Sequence, residues 1–343
     1  MHAAILDRSL EAFAALRRHV AFSANLRGQV GVSELECRDG DAKCFDVRRI
    51  LGEASDPTNW RVIDHCAAVT RTYALFESFV MEILREYLVF LSGAYKLSDL
   101  GEDFEIRYTR GIGKILQDQH KHRYRDLDVA TVIAGASDAL TGKDGYQIQA
   151  EALLRAEQNL RMSELQRLFT ECGLSGIEAW VTSHAAVKEF FAQQSRLSET
   201  AASELKQIVD YRNEAAHGDV DDVLGPDVLI EFTHFFEAMC RSLLDFVQYD
   251  TLRRAKELKR ATVVGVISER FRDDVVVAKV RNAKISVGDQ LYIFKNGMTM
   301  IAELKSIRMN DVEIATVTIA DETEVGLRIG VRAKVGCELL RLH

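Results

Sequence analysis

Apolar positions recur at helical spacing through most of the chain. In residues 3–20, Leu6, Leu10, Phe13, Leu16 and Val20 fall on one face and predict a first amphipathic helix. The stretch 23–58 loses that period and carries glycines and acids, which predicts a long irregular excursion with at most one short helix or hairpin. From Trp60 to Leu91 the period returns. Ile63, Phe76, Phe79, Val80, Ile83, Leu84, Tyr87 and Leu91 make a wide stripe, and the expectation is a long core helix. Further helices are expected at about 126–140, 147–157, 161–172, 176–193 and 197–217, parted by glycine-bearing breaks such as "TGKDG" and "ECGLSG". A last helix runs from Pro226, a residue suited to a first helical position, to about Arg260.

At residue 261 the period changes from helical to alternating. "TVVGVISE", "DVVVAKVR", "QLYIFK", "DVEIATVTI" and "CELLRL" are short β-branched runs between turns, which predicts a small antiparallel β-barrel. The expected fold is therefore multidomain α plus β: a helical bundle over 1–260, with its core at 60–250, followed by a barrel over 261–343. Charge divides at the same place. Residues 262–343 hold 12 Lys and Arg against 11 Asp and Glu, leaving 32 against 41 in the helical part. The net charge of -8 belongs to the helices and excludes a uniformly basic nucleic-acid coat, though not a local basic groove.

Six cysteines are scattered without a C-x-x-C pair, which fits reduced thiols in a cytosolic protein better than a disulfide framework. Cys37 and Cys44, the one close pair, leave a redox or metal role as the minor alternative. The first twenty residues mix acids and arginines into their apolar pattern, unlike a signal peptide, and no apolar run reaches the roughly 18 residues of a membrane span. A soluble, cytoplasmic protein without a membrane partner is expected.

The chemistry concentrates in "YRNEAAHG", residues 211–218. Asn213 and His217 are four apart and share a helix face, while Arg212 sits about 140° round from the histidine and depends on its length to reach that side. The two alanines leave the backbone approachable, and Gly218 reads as a left-handed stop. Arginine with histidine is sufficient equipment for cleaving RNA without a metal. Histidine can move the 2′-hydroxyl proton near neutral pH, and guanidinium can meet the charge that builds on phosphate. One histidine cannot be acid and base in the same step, so a two-fold dimer supplying two copies of the pair is expected. A solvated helix end with a capping histidine is the competing reading of the same residues.

"RNEAAHG" resembles the signature of the HEPN superfamily, an arginine and a histidine with four to six residues between them and a polar residue after the arginine. "TYALFESFVMEILREYL", 72–88, resembles the early helix of that superfamily, and "NLRMSELQRLFTECGL", 159–174, the segment before its motif helix. The pattern is similar to the RiboL-PSP type and covers roughly residues 60–250. The resemblance implies a helical, usually dimeric, metal-independent endoribonuclease of phage-defence or toxin–antitoxin systems, leaving 2′,3′-cyclic phosphate ends. It assigns Arg212 and His217 as the catalytic pair, Asn213 as polar companion and Glu77 as a supporting residue. Other members are catalytically silent adaptors that bind RNA or protein, and this is the alternative.

Lys121, Arg123, Tyr124 and Arg125 in "HKHRYRD" combine cations with a ring, a mixture suited to phosphate contacts and base stacking, although a solvated loop has the same composition. His120 and His122 lack evident further ligands, so no metal and no cofactor are expected. "KISVGDQLYIF" and the strands after it resemble the second-domain barrel of translational GTPases. That resemblance implies a module bringing the protein to tRNA, the ribosome or a neutralising or activating protein; a stabilising appendage is the plainer reading.

Overall fold

The structure is a computed structural model and describes residues 3–30, 51–155, 158–193, 199–218, 220–295, 297–310 and 312–342. Cys37, Cys44 and most of the predicted irregular excursion lie outside the described residues. The chain divides into two compact units: residues 1–86, 102–136 and 149–243 form the first, and residues 87–101, 137–148 and 244–343 the second. The strands begin at Ala261, but the second unit also takes in helical segments from earlier in the chain.

In the first unit, α1 (Ala3–Arg27) continues seven residues past its predicted end. Helix α2 (Pro57–Ala94) begins where Asp56 accepts the N–H groups of Thr58 at 3.0 Å and Asn59 at 3.1 Å, with Pro57 in the position where a missing donor costs nothing. Phe76, Phe79, Val80, Ile83 and Leu84 of α2 are buried as the stripe predicts, whereas Ile63 is 58% exposed and faces solvent. Phe76 stacks on Phe236 at 4.4 Å, and Phe236 in turn lies 5.4 Å from Phe235, so an aromatic cluster forms the centre of the bundle.

Helix α3 (Glu102–Gln117) was not among the predicted elements. Its buried residues Phe104, Tyr108, Gly111, Ile112 and Ile115 follow a helical period, and Gly111 lets another backbone approach closely. A Cβ there would stand 2.0 Å from the Ala152 carbonyl oxygen of α5 (Ala150–Leu153). The remaining helices are α4 (Val129–Leu140), α6 (Met162–Glu171), α7 (Ile177–Ser183), α8 (Ala185–Ala192), α9 (Ala201–His217) and α10 (Pro226–Glu257); α2, α4 and α10 each begin in the first unit and end in the second. The single helix expected at 176–193 is two, broken at His184, whose Nδ1 accepts the Ala186 N–H at 3.3 Å and caps α8. No helix among the described residues is long and apolar enough to cross a membrane.

The strands of the second unit pair antiparallel throughout. The strands are β1 (Ala261–Arg270), β2 (Val275–Val280), β3 (Ala283–Ser286), β4 (Gln290–Lys295), β5 (Met298–Glu303), β6 (Ser306–Met309), β7 (Val312–Ile314), β8 (Thr316–Ile319), β9 (Thr323–Arg328) and β10 (Glu338–Leu342). Eight make one sheet, in the order β5–β4–β10–β1–β2–β9–β6–β7, and β3 pairs separately with β8. Among the described residues the edge strands β5 and β7 do not pair with each other, so the sheet is open rather than the closed barrel expected. Ile267, Val276, Leu291, Ile293, Leu327 and Leu339 of this sheet share one buried core with Ile285 of β3. The "VGD" turn has a physical reason: Gly288 sits at φ 90°, and Asp289 accepts the Ser286 N–H at 2.8 Å.

Candidate functional site

The motif helix α9 is bounded as its sequence dictates. Thr200 accepts the Ser203 N–H at 3.2 Å, and Ser203 accepts the Thr200 N–H at 3.3 Å, a reciprocal cap. At the far end Gly218 takes φ 83° and donates to the Glu214 carbonyl at 3.0 Å. Between them Ala201, Glu204, Leu205, Ile208 and Val209 form the buried stripe. Arg212 stands at the next position of that stripe, and its guanidinium is turned inward.

There it lies over an aromatic ring. The Arg212 Cζ is 5.3 Å from the ring centroid of Tyr73 on α2, a cation–π contact worth about 0.5–2 kcal/mol. Nη1 donates to Asn213 Oδ1 at 3.3 Å. Nε is buried and, among the described residues, has no partner, as is also the case for Nε of Arg107 and Arg155. Glu77, four residues after Tyr73 and on the same side of α2, is half-buried. Burial raises its carboxyl above the usual range, and the Arg212 charge pulls it partly back. Burial likewise pushes the Tyr73 hydroxyl up to about 12, so the ring stays neutral at physiological pH.

Three consecutive residues strap this cluster together. Asn159 Nδ2 donates to Asn213 Oδ1 at 2.8 Å, the Leu160 N–H donates to the Tyr73 hydroxyl at 2.7 Å, and Arg161 pairs with Asp210 at 2.6 Å. The strap thus fastens to α2 once and to α9 twice. Neither Tyr73 nor Asn159 was singled out from the sequence. Tyr73 carries a signal only in hindsight, sharing the α2 face of Glu77, and Asn159 only as the first residue of "NLRMSELQ".

His217 is exposed in the last turn of α9. Five residues separate it from Arg212, about 7.5 Å along the axis. Arg212 does not reach round to the histidine's side as expected: it packs inward on Tyr73, and no hydrogen bond joins the two side chains among the described residues. One chain holds the arginine, the asparagine and the glutamate together while presenting the histidine outward.

The outward face of α9 is acidic. Asp210 and Glu214 of α9, with Asp221 and Asp222 from the following loop, set four carboxylates against the single cation Lys206 around a cleft of about 540 Å³ that Ser203, Gln207 and Tyr211 also line. Such a lining repels anions. The loop after the motif is docked on α2: Arg61 donates to the Val223 carbonyl, and His65 Nδ1 accepts the Leu224 N–H at 3.2 Å. His65 is fully enclosed and edge-on to Tyr211 at 6.1 Å. Burial lowers its pKa, with Asp222 opposing and Arg61 reinforcing the shift.

The basic loop is less suited to its expected task. Lys121 is engaged with Asp118 at 2.9 Å, and Arg125 is exposed. Tyr124 is 4% exposed, which leaves no open ring face on which a base could stack; it serves the core instead. The Arg123 side chain lies outside the described residues. Among the described residues no three His, Cys, Asp or Glu side chains group to hold a metal ion.

A family model described as RiboL-PSP-HEPN matches residues 46–249, a span containing α2, the strap, α9 and most of α10. No curated protein matches the chain. A solved structure, flavohemoglobin from Malassezia yamatoensis with bound FAD and heme, aligns over 73% of this chain and 63% of its own at 12% identity and a TM-score of 0.12. A likeness at that score carries no argument.

Proposed function

The chain belongs to the RiboL-PSP-HEPN family, and from that membership we propose that it is a metal-independent endoribonuclease whose site is completed by a second copy. The observation that carries the reading is the inward Arg212. It packs on the buried side of α9, lies 5.3 Å from the Tyr73 ring and donates to Asn213 Oδ1 at 3.3 Å, so the guanidinium and the amide of the motif are held side by side.

In the proposed reaction the substrate's 2′-oxygen attacks the adjacent phosphorus as its proton passes to one histidine. The bond from phosphorus to the 5′-oxygen breaks, and that oxygen takes a proton from the second histidine. Arg212 and Asn213 donate to the non-bridging oxygens as charge develops. The products are a 2′,3′-cyclic phosphate and a 5′-hydroxyl. Because one chain offers one motif histidine, the second comes from the partner of a two-fold dimer. Phage defence or toxin-like growth arrest is the biological setting proposed, in the cytoplasm. The β unit is proposed to direct the enzyme to tRNA, the ribosome or a regulatory protein.

The test is incubation of total RNA in excess EDTA with wild type, Arg212→Ala and His217→Ala. Wild type is expected to give fragments with cyclic phosphate ends. Arg212→Ala is expected to lose about 10²–10³ in rate and His217→Ala about 10²–10⁴. Equal cleavage by all three excludes the proposed site. The acidic cleft on α9 favours a second reading, an adaptor for a basic protein segment; in that case binding survives in His217→Ala and no RNA is cut by wild type.

A further inference from the structure

An asparagine side chain has one accepting and one donating end, and which end faces outward decides what it can bind. Arginine has no acceptor. The end of Asn213 that meets Arg212 Nη1 at 3.3 Å must therefore be Oδ1. Asn159 reaches that same oxygen through Nδ2 at 2.8 Å. With two donors converging on Oδ1, the Nδ2 amino group of Asn213 is left as the opposite end, and no described residue accepts from it.

The strap is well placed to enforce this orientation. Its neighbours on either side are fixed, Leu160 to the Tyr73 hydroxyl and Arg161 to Asp210. The Asn159 amide has little freedom to turn round. An amide able to flip would offer oxygen as readily as nitrogen to an incoming group, and an oxygen would repel a phosphate.

We propose that Asn159 is a positioning residue that locks the Asn213 amide with its amino group outward, so that Arg212 and Asn213 present donors only to a phosphodiester oxygen. The proposal rests on the ribonuclease reading of the same motif. Asn159 itself touches no substrate; it acts through Asn213, and Asn213 is the residue that binds.

The experiment measures binding of a fluorescent 2′-O-methyl RNA, which lacks the attacking hydroxyl and is not cut, at about 0.3 M salt to screen added charge. The proteins are wild type, Asn159→Leu, Asn159→Asp and Asn213→Asp. Asp at 159 keeps the shape but accepts instead of donating, which turns the Asn213 amino group inward and its oxygen out. The affinity is expected to fall about 10-fold for Asn159→Asp, about 3-fold for Asn159→Leu and at least 10-fold for Asn213→Asp. A merely structural role predicts the opposite order at 159, with the apolar, donor-less Leu worse than Asp, and melting temperatures that follow it. Wild-type affinity in Asn159→Asp, Leu worse than Asp, or failure of wild type to bind overturns the proposal. Binding with the expected order but no cleavage of unmodified RNA overturns the nuclease reading and upholds the role of Asn159. Cleavage that Asn159→Asp leaves intact does the reverse.

Discussion

The Arg212 guanidinium rests on the face of Tyr73, with its Cζ 5.3 Å from the ring centroid, and this contact joins the motif helix to the long helix α2. Tyr73 has two separable functions, its ring supporting the cation and its hydroxyl accepting the Leu160 N–H. Tyr73→Phe keeps the first and strands a buried N–H, which should cost about 1–3 kcal/mol of stability. Tyr73→Leu loses both, and its cleavage rate should fall about 10-fold below that of Tyr73→Phe. Denaturant unfolding and single-turnover cleavage, measured side by side, separate the two functions. Equal rates would mean that the ring does not hold Arg212 for catalysis.

His65 predicts a pH dependence. Its Nδ1 accepts the Leu224 N–H only while unprotonated, and burial lowers its pKa. The unfolded chain therefore takes up the proton first as the pH falls below about 6.5, so this contribution is complete above neutral pH and is lost on acidification. The melting temperature of wild type should drop more steeply from pH 7 to pH 5 than that of His65→Asn, which retains an acceptor and cannot titrate. Parallel curves would remove His65 as the cause.

Gly111 predicts a packing limit. Because a Cβ there meets the Ala152 carbonyl oxygen at 2.0 Å, the helical preference for alanine is outweighed by the clash. Gly111→Ala should destabilise by about 1–3 kcal/mol in urea unfolding, although alanine at an unhindered helical glycine stabilises by about 1 kcal/mol. A stabilised variant would contradict the close approach of α3 and α5.

What could be read from sequence and what could not divide along a physical line. The end of α9 was legible because Gly218 is a local backbone signal, whereas its start, at Ala201, was placed four residues early; the α2 stripe was legible because its period repeats over eight turns. Helix α3 was missed because Gly111 and Gly113 interrupt a real period of Phe104, Tyr108, Ile112 and Ile115. Sheet closure was not legible, since whether β5 meets β7 is not encoded in the alternation of either strand. Arg212, Asn213 and Glu77 were singled out as candidates through a local motif and a family resemblance. Tyr73 and Asn159 were not, because their contacts with Arg212 and Asn213 span 139 and 54 residues of chain. Tyr124 misled because a ring in a basic loop reads the same whether it faces solvent or, as here, the core.

The central claim is that each chain carries half of a ribonuclease site, and diluting wild type with a silent partner tests it most directly. Wild type is to be unfolded together with increasing proportions of the double variant Arg212→Ala, His217→Ala, refolded and assayed on RNA in EDTA. If each site takes one histidine from either chain, mixed dimers hold a single histidine and are silent, and activity should fall with the square of the wild-type fraction. Activity that falls only in proportion to that fraction, from a wild type that does cleave, would contradict the shared site.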